Sequence, residues 1–186
     1  MFKDRSLLLN LLSAIPNSEG LVLRLKGILP SWGADVALRS VPSQNRFRYL
    51  NMMASVKPTV DRSISNNLET AITLDSETFD TDGLHSNVTN PERFTAVVAG
   101  KYLLVGHIQY AANTTGVRLC RIRKNGGAIG EVVANAMASG DHDIEVVLLV
   151  ILAVSDYIEL LGYQNNGGSL TIFESRTSFG IFYAGE

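Results

Sequence analysis

The sequence predicts an all-β fold, an antiparallel sandwich of about eight to ten strands that follows an N-terminal arm with a short helix. Three observations carry this prediction. Short strand-like runs recur from Asn67 onward, they are separated by turn signals such as Asn125-Gly126 and Gly167-Gly168, and no helical periodicity lies between them. Asn-Gly and Gly-Gly pairs supply the positive φ that tight hairpins require.

Composition limits the class of protein. Of 186 residues, 46% are apolar and 18% are charged, which is enough apolar material for a core and argues against a disordered chain. The single cysteine, Cys120, excludes an intramolecular disulfide framework and a cysteine-based zinc cluster. The longest apolar run, Val146 to Val154, is far shorter than the roughly 20 residues of a spanning helix, so we expect no membrane span.

Residues 6–15 predict the short helix. Their leucines recur at helical spacing, Ser6 or Asp4 can cap the start, and Pro16 ends the segment. Asn10 interrupts the apolar stretch, so we predict a structural helix rather than a secretory signal. Residues 21–28 alternate between apolar and polar side chains and predict an extended segment.

Charge divides the chain into a predicted docking arm, residues 1–66, and a head domain, residues 67–186. The arm carries nine basic and four acidic residues, a net charge of +5, and the head carries seven basic and fourteen acidic residues, a net charge of −7. This asymmetry predicts that the arm docks on something negative. Alternatively, the opposite charges only improve solubility or attract each other. The arm residues chosen for docking are Leu7, Leu8, Leu11, Arg24, Lys26, Trp32, Arg46 and Arg48.

Several strand-like runs of the head are apolar without alternation. The clearest are EVVLLVILAV, residues 145–154, and SFGIFYA, residues 178–184. A strand that is apolar on both faces is covered on both faces, whereas a sandwich core covers only one. Identical subunits would supply the second cover, so the sequence predicts an oligomer.

The head resembles the trimeric jelly-roll family of complement-component-one-q globular heads and tumour necrosis factors. The resemblance spans roughly residues 68–186 and rests on Phe94, Gly100 and Tyr102 in the spacing F-x5-G-x-Y. Ser155-Asp156-Tyr157 and the terminal strand from Ser178 to Phe182 support it. The residues expected to define the fold are therefore Phe94, Gly100, Tyr102, Tyr157, Phe179 and Phe182. We expect Phe94 and Tyr102 on adjacent strands with their rings facing the core.

The resemblance implies an antiparallel jelly roll that assembles as a homotrimer. Heads of this kind resemble those on bacteriophage fibres, spikes and capsid decorations as well as those of extracellular signalling proteins. The sequence departs from the family at Ser155-Asp156, where the pattern has Gly-Asp. No collagen-like repeat precedes the head, which argues against a complement-like secreted protein and favours the phage version.

No pattern predicts chemistry. The sequence holds no G-x-S-x-G, P-loop, G-x-G-x-x-G or H-E-x-x-H motif. The acidic stretch from Asp75 to Asp82 could bind calcium through its carboxylates, but it does not fit an EF-hand loop, because the twelfth position is Thr89. A solvated loop is therefore the favoured interpretation. His107 is expected in the core or at an interface, and Cys120 as a small buried side chain. We therefore expect no catalytic residue, no metal and no cofactor.

These features together predict a non-enzymatic structural protein of a virion, assembled in the host cytoplasm. It would be a homotrimeric capsid decoration or head spike, attached through its arm to other virion proteins of the capsid or tail. The alternative is a tail-fibre or spike module that binds a receptor or a host surface glycan through loops 111–116 and 164–168. Nucleic acid is not expected as a partner, because the basic residues are scattered.

Overall fold

A computed structural model describes residues 52–137 and 139–185 and the backbone of three further strands at 22–24, 37–41 and 46–49. The chain forms two compact units, Met1–Leu50 and Asn51–Glu186. The first contains a three-stranded antiparallel sheet of β1 (Val22–Arg24), β2 (Ala37–Val41) and β3 (Arg46–Tyr49). β1 falls within the predicted extended segment, whereas the predicted helix at 6–15 lies outside the described residues.

The second unit is an antiparallel jelly roll of two sheets, which confirms the predicted all-β class. Its strands are β4 (Met53–Lys57), β5 (Arg62–Ile64), β6 (Thr70–Ala71), β7 (Ser76–Asp80), β8 (Arg93–Thr95), β9 (Gly100–Tyr110), β10 (Val117–Lys124), β11 (Gly127–Asn135), β12 (His142–Leu152), β13 (Tyr157–Gln164), β14 (Leu170–Ile172) and β15 (Ser178–Gly185).

The head starts earlier than the sequence boundary at residue 67. The contact boundary lies between Leu50 and Asn51, and β4 and β5 are strands of the head's larger sheet. β4 pairs with the C-terminal strand β15, from Met53 opposite Phe182 to Val56 opposite Phe179. The pairing partner of β4 is distant in sequence, so no local pattern marks β4 as a strand of the head.

The larger sheet has seven strands. Their order is β5-β14-β9-β15-β4-β7, and β12 pairs with the other edge of β9 along its whole length. The smaller sheet has five strands in the order β11-β10-β13, with β6 and β8 both on the second edge of β13. The core lies between the two sheets.

The predicted hairpin at Asn125-Gly126 is confirmed. Both residues have positive φ, 50° and 81°, and they join β10 to β11. A two-residue loop with two positive φ angles matches the right-handed twist of the flanking strands. The local sequence therefore fixes this turn.

The core is formed by side chains that alternate inward from both sheets. Tyr102, Leu104, Ile108 and Tyr110 face inward from β9, and all are fully buried. The Tyr110 hydroxyl crosses to the other sheet, where it donates to the Leu119 carbonyl at 2.6 Å and accepts from the Tyr163 amide at 3.1 Å. Burial raises the pKa of the Tyr110 phenol, so the group stays neutral and can donate.

Candidate assembly surface

The outward side of the seven-stranded sheet carries an apolar surface. In one row across four strands, Leu149 pairs with Leu103, which pairs with Phe182, which pairs with Met53. In the next row Val147 pairs with Val105. Because successive residues of a strand point to opposite faces, these side chains point away from the core that their neighbours fill. We call Met53, Leu103, Val105, Val147, Leu149, Ile151 and Phe182 the apolar face.

The apolar face is exposed in the single chain. Leu149 and Ile151 are 70% and 69% exposed, Val147 is 53% exposed and Phe182 is 41% exposed. Single exposed apolar residues are common on proteins, but here they are neighbours in consecutive strand pairs. A contiguous patch of this kind marks an interaction site.

Polar groups border the apolar face at one end. Glu145 and Ser178 pair with His107 from either side. The His107 Nε2 lies 3.2 Å from the Asp143 carboxylate, and its Nδ1 is hydrogen-bonded to the Arg176 carbonyl. Both ring nitrogens of His107 therefore have partners within the chain, which fix the orientation of its ring at the border of the apolar face.

A second apolar region lies on the lateral edge of the sandwich. β11 ends the five-stranded sheet and β12 ends the seven-stranded sheet. The two strands lie on the same side, because a Cβ at Gly130 would come within 2.6 Å of the Leu148 side chain. On β11, Val132 and Val133 are 39% and 53% exposed. We call the exposed large apolar side chains of β11 the apolar edge: Ile129, Val132 and Val133.

The residues of the F-x5-G-x-Y pattern lie in and beside the core. Phe94 and Tyr102 are both fully buried, but the prediction that they occupy adjacent strands is wrong: β8 belongs to the smaller sheet and β9 to the larger one. The chain crosses between sheets after β8, and Phe94 stacks against Phe179 of the larger sheet with ring centroids 4.9 Å apart. Gly100 has φ of 154° and lies where a Cβ would meet the Tyr183 ring.

Tyr157 and Phe182 lie elsewhere than the core. Tyr157 is half-buried at the start of β13, where the Arg93 guanidinium stands 4.2 Å from its ring centroid. Phe182 points outward into the apolar face, three residues after the buried Phe179. Two residues an odd number of positions apart in a strand point to opposite faces of the sheet. The spacing of Phe179 and Phe182 therefore predicts that only one of the two rings faces the core.

The docking-arm residues are only partly within the described backbone. Arg24 lies in β1, and Arg46 and Arg48 lie in β3. Leu7, Leu8, Leu11, Lys26 and Trp32 lie outside the described residues. The docking role of the arm therefore stays a prediction.

The basic residues of β10 serve three different purposes. Arg118 is 1% exposed and donates to the carbonyls of Thr115, Val117 and Asn113. Arg121 faces outward between Glu69 and Glu131, and Lys124 pairs with Asp156 at 2.8 Å. The buried Arg118 was not predicted, because its partners are backbone carbonyls that no side-chain motif identifies.

The described part of the chain holds no group of three or more His, Cys, Asp and Glu side chains that could bind a metal. The carboxylates of the acidic stretch are used within the fold. Asp75 accepts from the Thr59 amide and hydroxyl and from Arg62, and Asp80 accepts from the amides of Asp82, Gly83 and His85. Among the residues described, no helix is long and apolar enough to cross a bilayer.

Comparisons by sequence find no match, neither to a model of a protein family nor to a curated protein. Comparison of the fold does find similar structures. Eiger TNF from S. frugiperda has a TM-score of 0.57 at 8% identity, over 73% of this chain and 94% of that one. Murine APRIL has a TM-score of 0.57 at 12% identity, over 72% of this chain and 98% of that one.

The globular domain of zebrafish complement 1qA has a TM-score of 0.53 at 12% identity, over 72% of this chain and 97% of that one. Identities this low establish the fold and nothing finer. The strand order, the two-sheet core and these three structures lead to one conclusion: the head has the jelly-roll fold of tumour necrosis factors and complement-component-one-q globular domains.

Proposed function

We propose that this protein is a non-enzymatic structural component of a bacteriophage virion whose head assembles as a homotrimer. The observation that carries the proposal is the apolar face, in which side chains of three consecutive strand pairs are exposed together. Such a face is unfavourable in water and favourable once it is covered.

The energetics favour a stable contact. A standard interface hides about 1,600 Å2, of which roughly 60% is apolar, and apolar burial contributes about 25 cal/mol per Å2. This gives on the order of 20 kcal/mol before association costs of about 4–15 kcal/mol. One such contact per neighbour is enough for a persistent oligomer.

The location of the two apolar regions favours a ring. The apolar face and the apolar edge lie on different parts of the head. If the edge of one copy packs on the face of the next, the contact is head-to-tail. Such contacts form a closed ring when the rotation between neighbouring copies divides a full turn evenly. The number three comes from the resemblance to a trimeric family. Each copy would then cover the face of one neighbour and have its own face covered by the other.

The proposal that the protein is part of a virion rests on the sequence. A basic arm joined to an acidic head suits attachment to a negatively charged particle surface, as a capsid decoration or head spike held through the arm. Replacing Arg24, Lys26, Arg46 and Arg48 with Ser should reduce co-sedimentation of the protein with particles that lack it. Unchanged co-sedimentation would remove the electrostatic docking role.

The trimer is tested by sedimentation equilibrium of the full chain at micromolar concentration. We expect three times the chain mass of 20.2 kDa. Leu149→Arg places a charge in the apolar face and should yield monomers with an unchanged circular dichroism spectrum. Val88→Arg is the matched control, because Val88 is 88% exposed in a loop outside both apolar regions.

A monomeric wild-type chain would overturn the trimer. A Leu149→Arg variant that assembles as the wild type does would show that the apolar face is not the interface. If Val88→Arg also dissociates, the effect comes from added charge in general and not from the apolar face.

A further inference from the structure

His107 lies at the polar end of the apolar face. The odd-numbered side chains of β9 point outward, so His107 is on the same side of the sheet as Leu103 and Val105. Its neighbours on the adjacent strands are Glu145 of β12 and Ser178 of β15. The imidazole is 25% exposed. The ring is therefore part of the surface that a neighbouring copy approaches in the proposed homotrimer.

Both ring nitrogens of His107 face oxygen atoms that accept hydrogen bonds. Nδ1 is bonded to the Arg176 carbonyl, and Nε2 lies 3.2 Å from the Asp143 carboxylate. That carboxylate also accepts from the side-chain amide of Gln109 at 3.4 Å. It lies 3.7 Å from the Arg176 guanidinium, which favours its ionised form.

A neutral imidazole cannot satisfy both of these oxygens, because only one of its nitrogens carries a proton. Its other nitrogen would present a lone pair to an acceptor. The imidazolium donates from both nitrogens, and hydrogen bonds that involve a charged group are the stronger ones. The position of the ring therefore favours the protonated form of His107.

The charge of His107 balances the charges around it. The charged groups next to the imidazole are Asp143 and Glu145 of β12 and Arg176 before β15, and its neighbour on β15 is the uncharged Ser178. Further along the border, Lys57 of β4 pairs with Glu174 at 3.8 Å. In the described part of the chain, Glu145 has no hydrogen bond and no ion pair. With the imidazolium, two positive charges meet two negative ones, whereas the neutral ring leaves one negative charge in excess.

Assembly makes this excess charge costly. Val105 and Val147 form the row of the apolar face next to His107 and Glu145. A copy that covers the valines removes water from this row and from its border, and a charge that loses water without a partner is unfavourable. We propose that assembly of the head is linked to protonation of His107, so that the imidazolium holds the homotrimer together and the neutral ring loosens it. This inference rests on the proposed homotrimer.

Proton linkage determines the direction of the pH effect. A proton that is bound more tightly in the assembled state stabilises the assembly at low pH, and this contribution is lost as the pH rises. Histidine is the only side chain that ordinarily changes charge between about pH 5 and pH 8. Of the three in the sequence, His85 is fully buried and His142 lies on the core side of β12, opposite Tyr110. The assembly should therefore weaken through His107 as the pH rises from about 5.5 to about 8.

Subunit exchange between donor-labelled and acceptor-labelled copies of the full chain measures how fast the assembly dissociates, whatever its affinity. We expect exchange at least about tenfold faster at about pH 8 than at about pH 5.5, at one ionic strength. His107→Gln should exchange at the fast rate at both pH values, because glutamine cannot carry the charge. Asp143→Asn should exchange slowly at both, because its amide can donate to the neutral ring and removes the excess negative charge.

His142→Gln is the matched control, because it removes a histidine from the core side of the sheet. It should keep the pH dependence of the wild type, and circular dichroism verifies that every variant is folded at both pH values. Three results would each overturn the linkage while the homotrimer stands: equal exchange rates of the wild type at both pH values, a His107→Gln variant with the wild-type pH dependence, or fast exchange of Asp143→Asn at the higher pH. A chain that sediments as a monomer at both pH values would instead overturn the homotrimer, and the linkage with it.

Discussion

The ring of Tyr183 occupies the space that a side chain at position 100 would need. A Cβ built on Gly100 would lie 2.5 Å from the Tyr183 Cε2 and 2.6 Å from the Gly185 carbonyl oxygen. The backbone at Gly100 also has φ of 154°, which disfavours other residues. The glycine of the F-x5-G-x-Y pattern is thus required by the last strand of the chain.

Gly100→Ala should therefore lower the free energy of unfolding by about 2–4 kcal/mol, because the clash and the backbone strain add. Urea titration at one fixed protein concentration measures this. Gly83→Ala is the control, since Gly83 has φ of 69° but open space around it, and it should cost only about 1 kcal/mol. Equal losses in both variants would show that the contact with Tyr183 contributes nothing.

Ser155 adopts a glycine conformation without being glycine. Its φ is 71°, at the position where the family pattern has Gly-Asp. Ser155→Gly should raise the free energy of unfolding by about 0.5–1 kcal/mol, because relief of backbone strain exceeds the added entropy of the unfolded chain. A thermal or urea midpoint below that of the wild type would contradict this.

Asp156 should make stability depend on pH in the acid range. The Lys124 ammonium first, then the Asn125 side chain and the Ala153 amide, lower the pKa of its carboxyl from 3.8 to about 2. A carboxyl with a lowered pKa stabilises the fold fully above its unfolded pKa and loses that contribution as pH falls to its folded pKa. The urea concentration at the unfolding midpoint should decrease as the pH is lowered from about 4 to about 2. Asp156→Asn should make this decrease smaller. An unchanged pH dependence in the variant would exclude Asp156 as its source.

Cys120 should be unreactive in the folded protein. Its side chain is fully buried, and burial raises the pKa of the thiol to about 12. Because the thiolate is the reactive form, Ellman's reagent should give no signal in native buffer and one thiol per chain in guanidinium. Labelling of the native protein at the rate of the denatured one would show that the core opens at this strand.

The sequence indicated the apolar face in part. The run from Glu145 to Val154 is apolar at odd and even positions, which predicted a second cover for β12. The odd separation between Phe179 and Phe182 also indicates that one of the two rings points away from the core. Leu103 and Phe182 meet only because β15 lies beside β9, and no local pattern contains that pairing.

The contacts between loops at the end of the sandwich could not be predicted from the sequence for a different reason. Loops 111–116 and 164–168 were predicted as a binding surface, but the segment that each loop contacts depends on strand pairing between residues far apart in the chain. Asn66 accepts from Gly167, about 100 positions away in the chain. A composition rich in Asn and Gly predicts turns and does not predict which atoms remain available to a ligand.

What the sequence determined by itself was local: strand periods of two residues, hairpins at Asn-Gly pairs, a buried cysteine and the spacing of Phe94, Gly100 and Tyr102. The tertiary structure alone decided which strands are neighbours and which apolar side chains remain in solvent. It also decided that Phe94 and Tyr102 enter the core from opposite sheets. The physical reason is that strand pairing joins residues far apart in the chain, while turns and periodicity are set by φ, ψ and side-chain alternation within a few residues.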